Sequence, residues 1–142
     1  MTSQVSSTQV VAAAGASVVS DYEAPVNVRY SKTAALVTST DEGGMVNLTI
    51  PTPANMPNGS ALISMTVGMT ITNNASVDRV SVYFDGNQVF YRNVQRQKTF
   101  TETINPINYP SGAGISANLR MKFPDSQSEV SIVSASLTFQ TQ

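Results

Sequence analysis

The chain has 142 residues and a net charge of −1, from eight Lys and Arg against nine Asp and Glu, and it contains no Cys, His or Trp. A chain of this length suits one domain with a core that stands without disulfides, and the missing residue types exclude imidazole acid–base chemistry, thiolate nucleophiles and structural zinc. Charged residues make up 12% of the chain, where roughly 25% is usual. The cations are scattered, so no basic stripe exists to bind nucleic acid, and no apolar run approaches the roughly 20 residues of a membrane helix.

Residues 1–20 read as an N-terminal arm, rich in Ser, Gln, Ala and Val, preceding a sandwich domain over 21–142. Val10, Val11, Val18 and Val19 give the arm two strand-like patches. The apolar stretch from Val10 to Val19 is not expected to be a secretory signal, because no Lys or Arg precedes Arg29. The compartment stays unassigned, although the weakly charged Ser/Thr surface is compatible with an extracellular or particle-associated protein.

From residue 21 onward, period-two alternation dominates. Val26, Val28 and Tyr30 form one short run, and Val46, Leu48 and Ile50 form another. Pro51 and Pro53 lack donors and end that strand. The longest run places Ala61, Ile63, Met65, Val67, Met69 and Ile71 on one face. Val80, Val82 and Phe84 follow, and Asp85-Gly86-Asn87 then supplies a hairpin turn. With a regular hairpin, Val89 and Tyr91 share the core face, leaving Ser81, Tyr83, Gln88, Phe90 and Arg92 on the outer face. Phe100 and Ile104 mark a further strand, and Ile115, Ala117, Leu119, Met121 and Phe123 mark another. The last strand changes phase between Ile132 and Ala135, which predicts a one-residue bulge near Val133 and Ser134. Eight or nine short strands separated by turns imply an all-β fold, an antiparallel β-sandwich of jelly-roll-like type.

One segment carries a resemblance. Asn47-Leu48-Thr49-Ile50-Pro51-Thr52-Pro53, with Val80-Ser81-Val82-Tyr83-Phe84-Asp85-Gly86 after the long strand, is similar to a family of small uncharacterised bacterial β-sandwich proteins, a domain of unknown function. The likeness covers about residues 45–92. That family favours a Trp-Phe-His-Phe lead-in where this chain has Met45-Val46-Asn47-Leu48. The resemblance implies a β-sandwich and assigns no activity and no functional residues.

Carboxylate catalysis would need two facing acids, but Asp41, Glu42, Asp85 and Asp125 sit at turn positions, where Asp is recruited for backbone reasons. The chain is therefore not expected to be an enzyme, and no cofactor is expected. Calcium oxygens could gather at Asp41-Glu42 or at Asp85 with Asn87, although neither has the spacing of a calcium loop. Aromatic and Arg side chains on a wet face suggest a contact site, which makes Tyr83, Phe90 and Arg92 candidates for a partner or a sugar. Tyr109, in the loop Tyr109-Pro110-Ser111-Gly112, is a second candidate sugar platform. The leading expectation is a non-enzymatic self-assembly subunit of a fibre, tube or shell. Its arm would add a strand to a neighbouring sheet, and its partner would be itself or another protein. The alternative is a lectin-like carbohydrate-binding module. Neither nucleic acid nor membrane is expected as a partner.

Overall fold

The computed structural model describes residues 7–54, 56–57 and 59–141. The alternation resolves into eleven strands: β1 (Ser7–Ala14), β2 (Val19–Ser20), β3 (Asn27–Tyr30), β4 (Ala35–Thr38), β5 (Gly43–Ile50), β6 (Ala61–Thr72), β7 (Ser76–Phe84), β8 (Asn87–Arg96), β9 (Phe100–Asn108), β10 (Ile115–Lys122) and β11 (Glu129–Thr141). Among the described residues a single 3-10 turn, Gly15–Ser17, interrupts them. The strands form two antiparallel sheets. One runs β3-β4-β11-β6-β9 with β1 also paired to β11, and the other runs β2-β5-β10-β7-β8. Only β3–β4 and β7–β8 are hairpins within a sheet, and every other connection crosses between sheets. The architecture is an antiparallel β-sandwich of jelly-roll type, with more strands than the sequence suggested because β1, β2 and β4 carry weak alternation. No helix among the described residues is long and apolar enough to cross a membrane.

The core lies between the sheets. Val46, Leu48 and Ile50 of β5, Val80, Val82 and Phe84 of β7, and Ala117, Leu119 and Met121 of β10 face Leu62, Met65, Val67, Leu137 and Phe139 of the other sheet, all buried. One end of the core is aromatic: Tyr109 meets Phe84 edge-on at 5.1 Å and Phe139 at 5.1 Å, separations at which such pairs add to area burial. β11 is the spine of its sheet, pairing with β1, β4 and β6. Its register slips between Ile132 and Ser134, leaving Val133 44% exposed. This bulge keeps Ile132 and Ala135 both inward across the change of phase.

The N-terminal segment requires a correction. β1 pairs along β11 of the same chain from Ser7↔Thr141 to Ala14↔Ser134, and Val11, Ala13 and Val18 join the core. Val10 and Val19 point outward, 61% and 53% exposed. The strand that an assembly arm would donate to a neighbour is thus already paired within the chain.

The open side of the sandwich is closed by charge. β8 and β9 are the edge strands of their respective sheets. Glu102 of β9, only 5% exposed, accepts from Arg92 at 3.1 Å and from Arg96 at 2.7 Å, both on β8. Both arginines keep part of their surface in water, which lets the buried carboxylate be paired without burying three charges.

Gly15 shows how tightly β1 is tied in. A Cβ there would lie 2.3 Å from the Ile132 carbonyl oxygen and 2.9 Å from the Ala35 nitrogen, and neither backbone atom can swing aside. Gly15→Ala is expected to lower unfolding stability by about 1–3 kcal/mol, the usual range for overpacking. A urea midpoint equal to that of the wild type would show that β1 docks more loosely than described.

Candidate functional site

Adjacent strands place register partners on the same face of a sheet, so the outer face of the five-stranded sheet can be read row by row. One row is Thr49, Ser116, Tyr83 and Gln88 across β5, β10, β7 and β8. The next is Asn47, Asn118, Ser81 and Tyr91, with Val19 of β2 beside Asn47. The third is Met45, Arg120, Arg79 and Asn93. The face therefore carries two tyrosines above a bed of short hydroxyl and amide side chains.

The middle row is anchored from one side by the loop after β2. The Asp21 carboxylate accepts from Asn47 Nδ2 at 3.0 Å and from Asn118 Nδ2 at 3.4 Å. Asn118 Nδ2 also donates to Asn47 Oδ1 at 2.8 Å, and the other Asp21 oxygen accepts the Glu23 N–H at 2.8 Å. Backbone bonds from Asp21 N–H to Met45 O and from Met45 N–H to Ala24 O extend the edge pairing. Asn118 and Ser81 are buried and polar, as a preorganised hydrogen-bonding floor requires. Tyr22, on the loop that Asp21 fixes, is 90% exposed.

At one end the face opens into a cleft of about 750 Å³, whose walls include Met45, Asn74, Asp78, Gln95, Arg120 and Lys122. Asp78 is skipped in the register between Val77 and Arg79, so it turns toward Arg120 across the sheet. Arg120 Nε donates to it at 2.9 Å, and Lys122 Nζ lies 3.8 Å from its second oxygen. A shallower recess of about 370 Å³ is lined by Gln88, Val89, Phe90 and Tyr91.

The structure separates the residues singled out from sequence. Tyr83 lies on this face, half-buried, with its hydroxyl donating to Gln88 Oε1 at 3.3 Å. Phe90 and Arg92 do not share that face. The turn is Asp85-Gly86, with φ of 51° and 80°, but the register then slips, so Val82 pairs with Phe90 and Tyr83 with Gln88. Val89 is the extra residue. Its bulge turns Phe90 inward against the core, sends Arg92 to Glu102, and brings Tyr91 outward at 56% exposure. Tyr109 offers no platform: it is 1% exposed, and its hydroxyl donates to the Ala113 carbonyl at 2.6 Å. Among the described residues no group of three or more acidic side chains converges as a metal site, and Asp85 Oδ1 instead accepts the Gly114 N–H at 2.8 Å. Asp21, Asn47, Asn118 and Tyr91 were not singled out from sequence. The outward polar positions of β10 were legible as wet, but nothing local in sequence marks which loop caps them.

No protein-family model matches the chain, and no curated protein matches it. Solved structures do. The low-affinity xylan binding module CBM86 from Roseburia intestinalis aligns with TM-score 0.56 and 12% identity, over 94% of this chain and 95% of that one. A CBM61 solved with β-1,4-galactotriose aligns with TM-score 0.51 and 16% identity, over 84% and 85%. A family 35 carbohydrate binding module from Clostridium thermocellum aligns with TM-score 0.50 and 14% identity, over 91% and 97%. At these identities the likeness is one of fold. The expectation of a self-assembly subunit is corrected here: these structures are carbohydrate-binding modules, and the arm on which that expectation rested is an internal strand.

Two outcomes follow. Asp21→Ala removes the shared acceptor of Asn47 and Asn118 and is expected to cost about 1–3 kcal/mol, with faster amide exchange at Glu23; unchanged exchange there would mean that the carboxylate does not hold the loop. Burial, aided by the Asp85 charge, pushes the Tyr109 hydroxyl pKa above its ordinary 10.0. The unfolded chain therefore releases this proton first, and stability falls as pH rises from 10.0 through the folded value. In a spectrophotometric titration Tyr109 should ionise above the ordinary 10.0, and Tyr109→Phe should delete that late step.

Proposed function

We propose that this domain is a non-catalytic carbohydrate-binding module that takes a glycan on the outer face of its five-stranded sheet. The observation that carries the reading is the arrangement of Tyr83 and Tyr91 beside Ser81, Asn118, Asn47, Ser116 and Thr49 on adjoining rows. A pyranose ring has an apolar C–H face and a rim of hydroxyls. It suits an aromatic ring flanked by fixed donors and acceptors, the usual make-up of a small-ligand site. Amides supply a donor and an acceptor side by side, and the Asp21 network fixes which atoms of Asn47 and Asn118 are presented.

The surroundings support the same reading. The adjoining cleft gives a chain somewhere to continue. The side chains stand on strands rather than on loops, which lowers the ordering cost of binding. The solved modules of this fold are described as binding xylan in one case and as complexed with β-1,4-galactotriose in another. The domain performs no chemistry on its ligand in this reading and needs no cofactor. It holds a polysaccharide, outside the cell or wherever such polymers lie.

Tyr91→Ala is expected to weaken retention on a bound polysaccharide at least about tenfold, equivalent to about 1.4 kcal/mol, with an unchanged melting temperature because the ring is largely in water. Affinity electrophoresis through gels containing xylan, galactan or polygalacturonate reads this directly. A Tyr91→Ala protein that migrates like the wild type in every retarding gel would remove the face from consideration.

A further inference from the structure

The arginines of this protein fall into two groups that differ in one respect. Three guanidinium groups lie over aromatic rings: Arg92 over Phe90 at 5.1 Å, Arg96 over Phe100 at 5.7 Å and Arg79 over Tyr91 at 5.5 Å. Arg92 and Arg96 share the Glu102 carboxylate. Arg79 has no carboxylate partner among the described residues; its Nε donates to the neutral Asn93 Oδ1 at 3.2 Å.

Arg79 is also the register partner of Arg120. Two like charges directly opposite on neighbouring strands are unfavourable. Asp78 relieves only the Arg120 side, through the 2.9 Å bond to Nε, and is itself shared with Lys122 at 3.8 Å. Three of the eight cations of the chain thus stand together on the tyrosine-bearing face, and among the described residues Asp78 is the one carboxylate that forms ion pairs with them, Asp21 being engaged by Asn47 and Asn118. Glu42 also lines the cleft, and among the described residues it forms no ion pair with any of these cations. An arginine fork with spare donors, held beside an aromatic ring, is the group that recognises carboxylate or sulfate.

We infer that the glycan taken by this face is acidic, and that one carboxylate or sulfate of it docks against Arg79 and Arg120 while the sugar ring lies along the exposed side of Tyr91. The inference rests on the glycan-binding reading and narrows its ligand class. Arg79 then supplies charge selection and Tyr91 supplies ring contact. Docking an anion there relieves the Arg79/Arg120 opposition that the free protein carries.

The test is a titration of the intact protein with polygalacturonate, dextran sulfate, xylan and galactan, each at low and at raised salt. The expected result is at least about tenfold tighter binding of one acidic polymer than of either neutral one, with a preference that shrinks at raised salt as screening requires. A lead for polygalacturonate identifies the carboxylate as the anchor, and a lead for dextran sulfate identifies the sulfate. Arg79→Gln should bring acidic and neutral binding to within about threefold of each other without lowering the unfolding midpoint, since it also removes the charge opposed to Arg120. Arg79→Lys, which keeps the charge and loses the fork, should fall between the two. Binding of xylan or galactan with no acidic preference overturns the charge inference and leaves the glycan-binding face standing. An acidic preference that survives in Arg79→Gln overturns the assignment to Arg79. Failure to bind any of the four polymers removes the glycan reading and this inference with it.

Discussion

A strand can hide only every second side chain, and the phase of that alternation is the constraint on which the rest of this molecule depends. Both sheets bury one face and leave the other wet, so each strand must keep its apolar residues in step with its neighbours. Where the apolar residues fall out of step, the chain inserts one residue and restores the phase. Val133 does this in β11, and Val89 does it in β8. Asp78 does it in β7, with a second effect. The extra residue is polar and turns toward Arg120, so a correction required by the core places a carboxylate on the outer face.

The two bulges in β8 and β11 differ in what sequence reveals of them. In β11 the apolar residues are even-numbered up to Ile132 and odd-numbered from Ala135, with small polar residues between, so only one insertion reconciles them. In β8 the run Val89-Phe90-Tyr91 is apolar at three successive positions and satisfies either phase. Nothing local decides whether Phe90 or Tyr91 turns inward. The decision is tertiary. Phe90 packs on the core, and Arg92, two residues on, finds Glu102 on a strand of the other sheet. The same logic explains Tyr109. Its setting of Pro, Ser and Gly reads as an exposed loop, yet the loop folds its ring onto Phe84 and Phe139. Burial of that ring depends on contacts far away in the chain, so local composition could not show it.

The N-terminal segment makes a related point about edges. Val10-Val11 and Val18-Val19 were legible as strand-formers, but strand character does not say whose sheet the strand joins. β11, with thirteen residues, is long enough to accept β4 near one end and β1 along the remainder on the same side. Covering that edge internally protects it from pairing with other chains, the reverse of the role an assembly arm would play. Gly15 permits the close approach, and the Ser7–Ala14 strand contributes Val11 and Ala13 to the core.

The two wet faces of the sandwich are unlike in chemistry, and the difference argues for a division of labour. The six-stranded sheet shows Ser, Thr and Ala outward along β1, β6 and β11, including Ala12, Ser64, Thr66, Ser136 and Thr138, with no ionised group among these positions. The five-stranded sheet gathers Arg79, Arg120, Lys122, Asp78 and Asp21 with both outward tyrosines of its hairpin. Charge is scarce in this sequence, and opposed arginines are unfavourable for folding alone. The carboxylates at hand are already engaged: Asp21 orders the Asn47–Asn118 pair, and Asp78 holds Arg120 and Lys122. Arg79 is left with an amide and a ring. A stacked guanidinium with no carboxylate partner among the described residues is poorly explained as a structural element, because Arg92 and Arg96 show how this same fold pairs an arginine when structure is all that is required.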